Sequence, residues 1–242
     1  MNCFFLRCRA LILSVVCLFC LPLFSQPANQ TPLVGTLDGL FKISGNSAIP
    51  VWTDGEVHKI IQTNQYYFLT SKGIFSSSDL VEFTPLNEGL PLHTLKTYNG
   101  TEKSFVSIQK ELKDLSAHPQ QPEILVTASR DAVYLSKDSG KTWKSLGLSA
   151  RTSGCKSVAV ADMPVYNSSG QITGTQLVVF MSHPIYGLSY ILPDAASPKW
   201  TDIERGFDTL PGNPYVDEIA DILPVLETQD DGTIITKIYL SQ

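Results

Sequence analysis

The sequence predicts an all-β fold, and two observations carry that prediction. Only 17% of the 242 residues are charged, and 15 Pro and 16 Gly supply frequent chain reversals. One unit also recurs along the chain: a short apolar strand, a break, a strand that opens with a small residue, a polar turn, and an aromatic residue beside a Thr. Repeats of this length cannot bury a sheet face alone, so neighbouring copies must stack.

The first 25 residues are predicted to be a secretory signal that is cleaved after Ser25. Arg7 and Arg9 form a positive start, and an apolar run of 15 residues ends at Phe24. That run is shorter than the roughly 20 residues of a membrane span. An uncleaved anchor and a lipoprotein signal are the alternatives. We therefore expect an exported protein (periplasmic, cell-envelope or extracellular) with no stable membrane span after cleavage.

The mature part of the chain is acidic and nearly free of cysteine. Without the two signal arginines, 16 basic residues face 23 acidic ones, which is a formal charge of −7. This balance disfavours nucleic acid as a partner. Cys155 is the one cysteine outside the signal, so no intrachain disulfide is expected. We interpret it as a small buried hydrophobe.

Four full copies of the unit are present, and they predict β-propeller blades of four antiparallel strands. Their second strands open at small residues and lead to aromatic ones, in the order Gly39 and Trp52, Gly73 and Phe83, Ala132 and Trp143, Gly187 and Trp200. About four and a half blades, an incomplete ring, are expected. Within residues 26–242 the predicted blades cover 32–54, 57–90, 112–150, 155–205 and a partial blade at 215–242. A solenoid or a sandwich is the alternative architecture.

Further strands are predicted ahead of the copies and at the end of the chain. The predicted segments are Val57–Gln62, Leu112–Ala117, Cys155–Met163, Asp217–Glu227 and Ile234–Ser241. The stretch near 90–114 fits the repeat poorly and is interpreted as an insertion. There we expect a strand at 95–101 that enters an Asn-Gly turn, followed by a short helix at Ile108–Leu115.

One hairpin carries a recognisable motif. Ser136, Asp138, Gly140, Thr142 and Trp143 fit the pattern S/T-x-D-x-G-x-T-W. This pattern resembles the Asp-box of BNR-repeat propellers, in the sialidase-like and sortilin-like superfamily. The Asp carboxylate should accept backbone N–H groups, the two hydroxyls should close the loop, the Gly should take a positive φ and the Trp should fill the space between blades.

A degenerate copy of the motif lies one repeat earlier. Ser77 and Asp79 keep their places and Phe83 supplies the aromatic residue, but Val81 replaces the glycine and the turn is one residue shorter. The resemblance implies that both boxes are structural features of the propeller periphery, away from any axial site.

No catalytic, metal or cofactor site is predicted within residues 1–242. A sialidase would need three carboxylate-binding arginines and a Tyr/Glu pair, and the three mature arginines lack that signature: Arg130, Arg151 and Arg205. The histidines are scattered without ligand spacing: His58, His93, His118 and His183. The run from Asp230 to Gly232 is interpreted as a hairpin turn and not as a calcium loop.

Three functional hypotheses remain from the sequence. The first is a non-catalytic exported propeller that recognises or scaffolds a protein or glycan. The second is the N-terminal propeller part of a larger exported enzyme, for example a cell-wall hydrolase such as an N-acetylmuramoyl-L-alanine amidase. The third, which is disfavoured, is a glycosidase of the sialidase type.

Overall fold

A computed structural model describes residues 31–98, 103–149, 154–183, 187–203, 219–230 and 232–241. The predicted signal and its cleavage point after Ser25 lie outside these residues. The strands belong to one compact unit, Leu33–Gln242. The described residues form strands and turns without a helix, and no helix among them is long and apolar enough to cross a membrane.

The strands form successive antiparallel sheets, each built from consecutive segments. In chain order the sheets contain β1 (Leu33–Thr36), β2 (Gly39–Ser44) and β3 (Ser47–Trp52); β4 (Val57–Gln62), β5 (Tyr66–Thr70), β6 (Gly73–Ser77) and β7 (Thr84–Pro85); β8 (Leu92–Tyr98) and β9 (Lys103–Gln109); β10 (Leu112–Ala117), β11 (Leu125–Ser129), β12 (Val133–Ser136) and β13 (Lys144–Gly147); β14 (Val158–Tyr166), β15 (Ile172–His183), β16 (Gly187–Ile191) and β17 (Thr201–Ile203); β18 (Asp221–Thr228) and β19 (Ile234–Ser241).

The predicted fold class is confirmed. Three sheets have four strands each, in the order in which the strands occur along the chain, as expected of propeller blades. The first sheet has three strands, and the last has two. The described strands form no closed sheet. Each pairing between consecutive strands is antiparallel, because short turns connect them.

The predicted helix at Ile108–Leu115 is wrong. Residues 103–109 form β9, which pairs with β8 along seven residues, and residues 112–117 form β10 at the edge of the next sheet. The backbone groups of both segments are therefore satisfied by neighbouring strands, which outweighs the local sequence pattern. The Asn-Gly turn predicted between β8 and β9 lies outside the described residues.

The predicted strand at Cys155–Met163 is displaced. The observed strand β14 begins at Val158 and continues through Pro164, which lies opposite Thr175 on β15. Proline cannot donate to a ladder, but β14 is the edge strand of its sheet and tolerates it. The expected stop at Pro164 therefore did not apply.

The core lies between successive sheets and consists of four apolar clusters. They join the first sheet to the second, the second to the fourth sheet in the chain (β10–β13), that sheet to β14–β17, and β14–β17 to β18–β19. Strand β11 shows the consequence, since all five of its residues are buried. A strand buried on both faces lies in the middle of a stack of sheets.

Two tryptophans connect sheets near their outer strands through hydrogen bonds. The Trp143 Nε1–H donates to the Leu86 carbonyl at 2.8 Å, and the Trp200 Nε1–H donates to the Leu146 carbonyl at 2.9 Å. Each indole thus reaches from its own sheet to an earlier sheet in the chain, β4–β7 for Trp143 and β10–β13 for Trp200. The recurring aromatic residue of the repeat is therefore an anchor between sheets at these two positions.

Candidate functional site

The Asp-box-like turn is closed by side-chain hydrogen bonds to its own backbone. Asp138 Oδ1 accepts the Ser136 hydroxyl at 2.7 Å and the Thr142 N–H at 2.9 Å, and its Oδ2 accepts the Thr142 hydroxyl at 2.6 Å. Ser136 Oγ also accepts the Gly140 N–H at 2.8 Å. Gly140 has a φ of +84°, in the left-handed region that favours glycine.

These hydrogen bonds change the acidity of Asp138. Partial burial raises its pKa, but the hydroxyl and backbone N–H of Thr142 and the hydroxyl of Ser136 outweigh burial, so the pKa lies below the usual value. The carboxylate is therefore held in its ionised form with both oxygens occupied. A group in this condition stabilises a turn and does not transfer protons at neutral pH.

The degenerate turn uses the same arrangement with fewer bonds. Asp79 Oδ1 accepts the N–H groups of Val81 and Glu82 at 2.9 and 3.1 Å, and these bonds lower the Asp79 pKa. Ser77 Oγ accepts the Leu80 N–H at 2.9 Å. Leu80 has a φ of +63°, so without a glycine a leucine occupies the left-handed region. Phe83 packs with the aromatic cluster of the first two sheets.

The end of the Asp-box-like turn docks on the preceding sheet. The Trp143 N–H donates to the Glu88 carbonyl at 3.0 Å, and the Trp143 indole is buried against Leu86 and Leu90. Gly89 makes this contact possible, because a Cβ there would lie 2.3 Å from the Trp143 carbonyl oxygen. The five motif residues thus serve a turn and a contact between sheets.

The other residues considered in the sequence do not converge on one site. Within the described part of the chain, no group of three or more His, Cys, Asp or Glu side chains could hold a metal ion. His58 lies 3.5 Å from Glu56 on the surface, and Arg130 is exposed. Arg151, Arg205 and Asp231 lie outside the described residues. Cys155 is buried among apolar side chains, and burial raises its thiol pKa.

The structure assembles a different polar group that the sequence did not reveal. We call Lys59, Asp114, Ser157 and Asp221 the inner-strand cluster. Lys59, Asp114 and Asp221 lie near the beginning of β4, β10 and β18, and Ser157 directly precedes β14. These are the first strands of the second, fourth, fifth and sixth sheets in chain order. These first strands contact one another from sheet to sheet, which brings residues far apart in sequence together.

Asp114 is the centre of the inner-strand cluster. Its Oδ1 accepts the Lys59 ammonium at 2.6 Å and the Leu115 N–H at 2.8 Å. Its Oδ2 accepts the Ser157 hydroxyl at 2.7 Å and the Val158 N–H at 2.8 Å. The Asp114 side chain is only 8% exposed. One buried carboxylate therefore joins three sheets, with four donors to offset its desolvation.

A β-bulge lies next to each residue of the Lys59–Asp114 pair. The register shifts between Val57 and Lys59 in β4 and between Leu112 and Asp114 in β10. A bulge re-aims the side chain that follows it. The two residues occupy matching places in their strands, so oppositely charged groups meet between the sheets.

Lys59 and Asp221 keep hydrogen-bonding capacity that no residue in the described part of the chain uses. Asp221 is exposed, and its Oδ1 accepts the Ser157 hydroxyl at 3.1 Å and the Ile222 N–H at 2.9 Å. None of the described residues donates to its Oδ2. The Lys59 side chain is 36% exposed, and Asp114 is its one acceptor among the described residues.

Lys59 and Asp221 line a groove of about 540 Å³ between β4, β10 and β18. Eight of its fifteen lining residues are apolar, and the other seven are polar or charged: Lys59, Gln62, Thr63, Asn64, Ser116, His118 and Asp221. A second opening of about 640 Å³ shares Lys59 and Asp221 and also contains Asp114 and Ser157. A concave site in which apolar residues and converging polar groups line one groove is a usual form of a ligand site.

His118 lies in the wall of the groove and is uncharged. Its Nδ1 accepts the N–H groups of Gln120 and Gln121 at 3.1 Å each, which places the ring proton on Nε2. Nε2 lies 3.6 Å from Asp162 Oδ1, which is too long for a hydrogen bond. Burial lowers the His118 pKa, although Asp162 opposes that effect.

Sequence reasoning missed the inner-strand cluster because its members share no motif. The one available signal was position: Lys59 and Asp114 both stand two residues after the start of a strand whose other members are mainly apolar or small. A charged side chain at an otherwise buried position indicates that it has a partner there. Recognising it required knowing which strands are neighbours.

Comparisons with known proteins give little further information. No protein-family model and no curated protein matches the sequence. A solved structure described as an ancestral GH74 enzyme is similar at 12% identity with a TM-score of 0.37. The likeness covers 88% of this chain, which spans only 37% of that protein. A TM-score of this size carries no argument about fold or activity.

Proposed function

We propose that this chain is a non-catalytic recognition module of an exported protein, and that the groove beside the inner-strand cluster binds its ligand. The observation that carries the proposal is that hydrogen-bonding capacity left unused by the described residues lies beside apolar wall residues. The Lys59 ammonium and the Asp221 carboxylate both face the same groove of about 540 Å³. This volume falls within the usual range of small-molecule sites, roughly 300–1,000 Å³.

The ligand class is a glycan or a segment of a protein. Both offer neighbouring hydrogen-bond donors and acceptors, which can satisfy Asp221 and Lys59 together. Lys59 and Asp221 carry opposite charges, and the buried Asp114 is already paired with Lys59. The site therefore favours ligands without a large net charge.

The occupancy of the carboxylates supports a binding role over hydrolysis. Hydrolysis of a glycosidic bond normally uses two carboxyl groups, one on either side of the bond. Asp114 has both oxygens occupied by four donors, so among the described contacts Asp221 is the carboxylate of the cluster that keeps an oxygen without a donor. Export of the module rests on the predicted signal at residues 1–25 and is part of the proposal.

The test is a binding screen of the purified protein against arrays of defined oligosaccharides and synthetic peptides. Asp221→Asn and Lys59→Met should each abolish the binding that the unaltered protein shows. Asp54→Asn, at an exposed turn outside the groove, is the matched control and should bind normally. Binding that survives both groove substitutions would disprove the site. New reducing ends in a bound saccharide, lost in Asp221→Asn, would disprove the non-catalytic role.

A further inference from the structure

One turn in the wall of the groove is closed by an imidazole ring. Residues 118–124 connect β10 to β11, and the His118 N–H donates to the Ile124 carbonyl at 2.9 Å. Inside this turn, His118 Nδ1 accepts the N–H groups of Gln120 and Gln121. A ring nitrogen can accept a hydrogen bond only while it carries no proton. The closed form of the turn therefore requires an unprotonated Nδ1.

The other nitrogen of the His118 ring is buried and has no hydrogen-bond partner among the described residues. The side chain is 0% exposed, so bulk water does not reach Nε2. The Asp162 carboxylate of β14 lies beside it, with Oδ1 at 3.6 Å, while Oδ2 accepts the Gln121 side-chain amide at 2.8 Å. A charged ring would form a strong hydrogen bond to this carboxylate after a small movement. The neutral ring thus satisfies the turn, and the charged ring satisfies Asp162.

The same turn forms part of the groove proposed as the ligand site. His118, Pro119 and Pro122 line the groove, together with Thr63 and Asn64 from the turn between β4 and β5. His118 follows the last residue of β10, whereas the inner-strand cluster lies near the opposite end of that strand. A movement of residues 118–124 would therefore alter the groove wall away from the charged cluster.

We propose that His118 makes the shape of the groove depend on pH. Protonation of Nδ1 removes the acceptor of the two N–H groups in the turn, so the turn opens and the two prolines of the wall move with it. Nε2–H moves toward Asp162 and forms an ion pair in exchange. The groove is closed at this end near neutral pH and opens in acid. Release of a bound molecule in acid rests on the proposed function, whereas the movement of the wall does not.

The charges around the ring place the transition on the acid side of neutrality. Asp162 faces the ring from β14 and Glu123 lies in the turn itself, and both favour the charged ring. Burial favours the neutral ring and has the larger effect, so the His118 pKa lies below its usual value. The turn between β4 and β5 brings only uncharged residues to the groove, and Lys59 and Asp221 lie near the starts of their strands.

A pH titration of the protein without any ligand tests the proposal. Amide NMR spectra are recorded from about pH 8 to about pH 5, where a histidine titrates. The amide resonances of Gln120, Gln121 and the groove residues Ala117 and Asn64 should shift together with the His118 ring proton. Their common midpoint should lie below about pH 6.5. Protection of the Gln120 and Gln121 amides against hydrogen exchange should be lost below that midpoint.

His118→Asn is the matched variant, because the Asn Oδ1 can accept the two N–H groups of the turn and does not titrate in this range. Its turn amides should stay protected, and the common transition should be absent. Asp162→Asn should move the midpoint to lower pH, because it removes a carboxylate that favours the charged ring. His58→Asn, on the surface beside Glu56, is the control and should leave the transition unchanged.

Three results would overturn the proposal. The first is a His118 ring that titrates while the turn and groove amides keep their positions and protection. The second is a ring that stays neutral throughout the range, and the third is a transition that persists in His118→Asn. The titration of the unaltered protein decides the matter even where a variant does not fold, and circular dichroism checks that the protein stays folded in acid. Absence of binding at neutral pH beside the expected titration would instead contradict the proposed function alone.

Discussion

Replacing Asp114 by Ala should be among the most damaging single changes to this fold. The substitution removes the acceptor of the Leu115 and Val158 N–H groups, and both residues are fully buried. An unsatisfied buried donor costs about 1–3 kcal/mol, so the two together predict a loss of roughly 2–6 kcal/mol. The Ser157 hydroxyl still has Asp221, and Lys59 can turn toward water, so neither adds much.

The assay is urea unfolding at neutral pH, followed by tryptophan fluorescence. The midpoint should fall while the slope stays unchanged, since the folded state buries the same surface. Asp114→Asn should lose about half as much, because its amide oxygen can still accept an N–H. Asp194→Ala is the control: its exposed ion pair with Lys137 is worth about 0–1 kcal/mol. A loss below roughly 0.5 kcal/mol for Asp114→Ala would refute the view that this carboxylate holds three sheets together.

Three further substitutions test other contacts. Trp143→Phe should destabilise the protein by about 1–3 kcal/mol in urea unfolding, since the buried Leu86 carbonyl loses its donor. An unchanged unfolding midpoint would contradict the role of Trp143 as a contact between sheets. The Asp138 pKa is lowered, so the ionised side chain stabilises the protein above about pH 4, and this contribution disappears as the pH falls through the folded-state pKa. Asp138→Asn should therefore lose less thermal stability at acid pH than the unaltered protein. The same pH dependence in both proteins would count against this role. The His118 pKa is also lowered, so protonation of this residue favours the unfolded chain, and the stability of the protein should decrease as the pH falls below about 6.5. Thermal melts of His118→Gln should show a smaller decrease in stability with falling pH. An unchanged decrease would exclude a buried neutral imidazole at this position.

The repeat could be predicted because its signals are local. A small residue at a strand opening, a polar turn and an aromatic residue recur in each copy, and β4 and β10 have the bounds expected from their apolar runs. The Asp-box-like turn is also local, since Ser136, Asp138 and Thr142 bond within seven residues of sequence. Short-range hydrogen bonds of this kind depend on spacing, and spacing is visible in a sequence.

The errors occurred where tertiary contacts outweighed local pattern. Ile108–Leu115 was expected to be a helix, but pairing of β9 with β8 and of β10 with β11 makes it two strands. Pro164 was expected to end a strand, and the edge position of β14 lets the strand continue. In both cases the deciding factor was the identity of the neighbouring strand.

By itself, the sequence determined the all-β class, the repeating hairpins and the two acidic turns, because each depends on residues close together in the chain. Only the tertiary structure decided that Lys59, Asp114, Ser157 and Asp221 form one cluster beside a groove. These residues are separated by more than forty positions, and stacking of the first strands brings them together. The same stacking decides which sheet faces are buried in the described part of the chain.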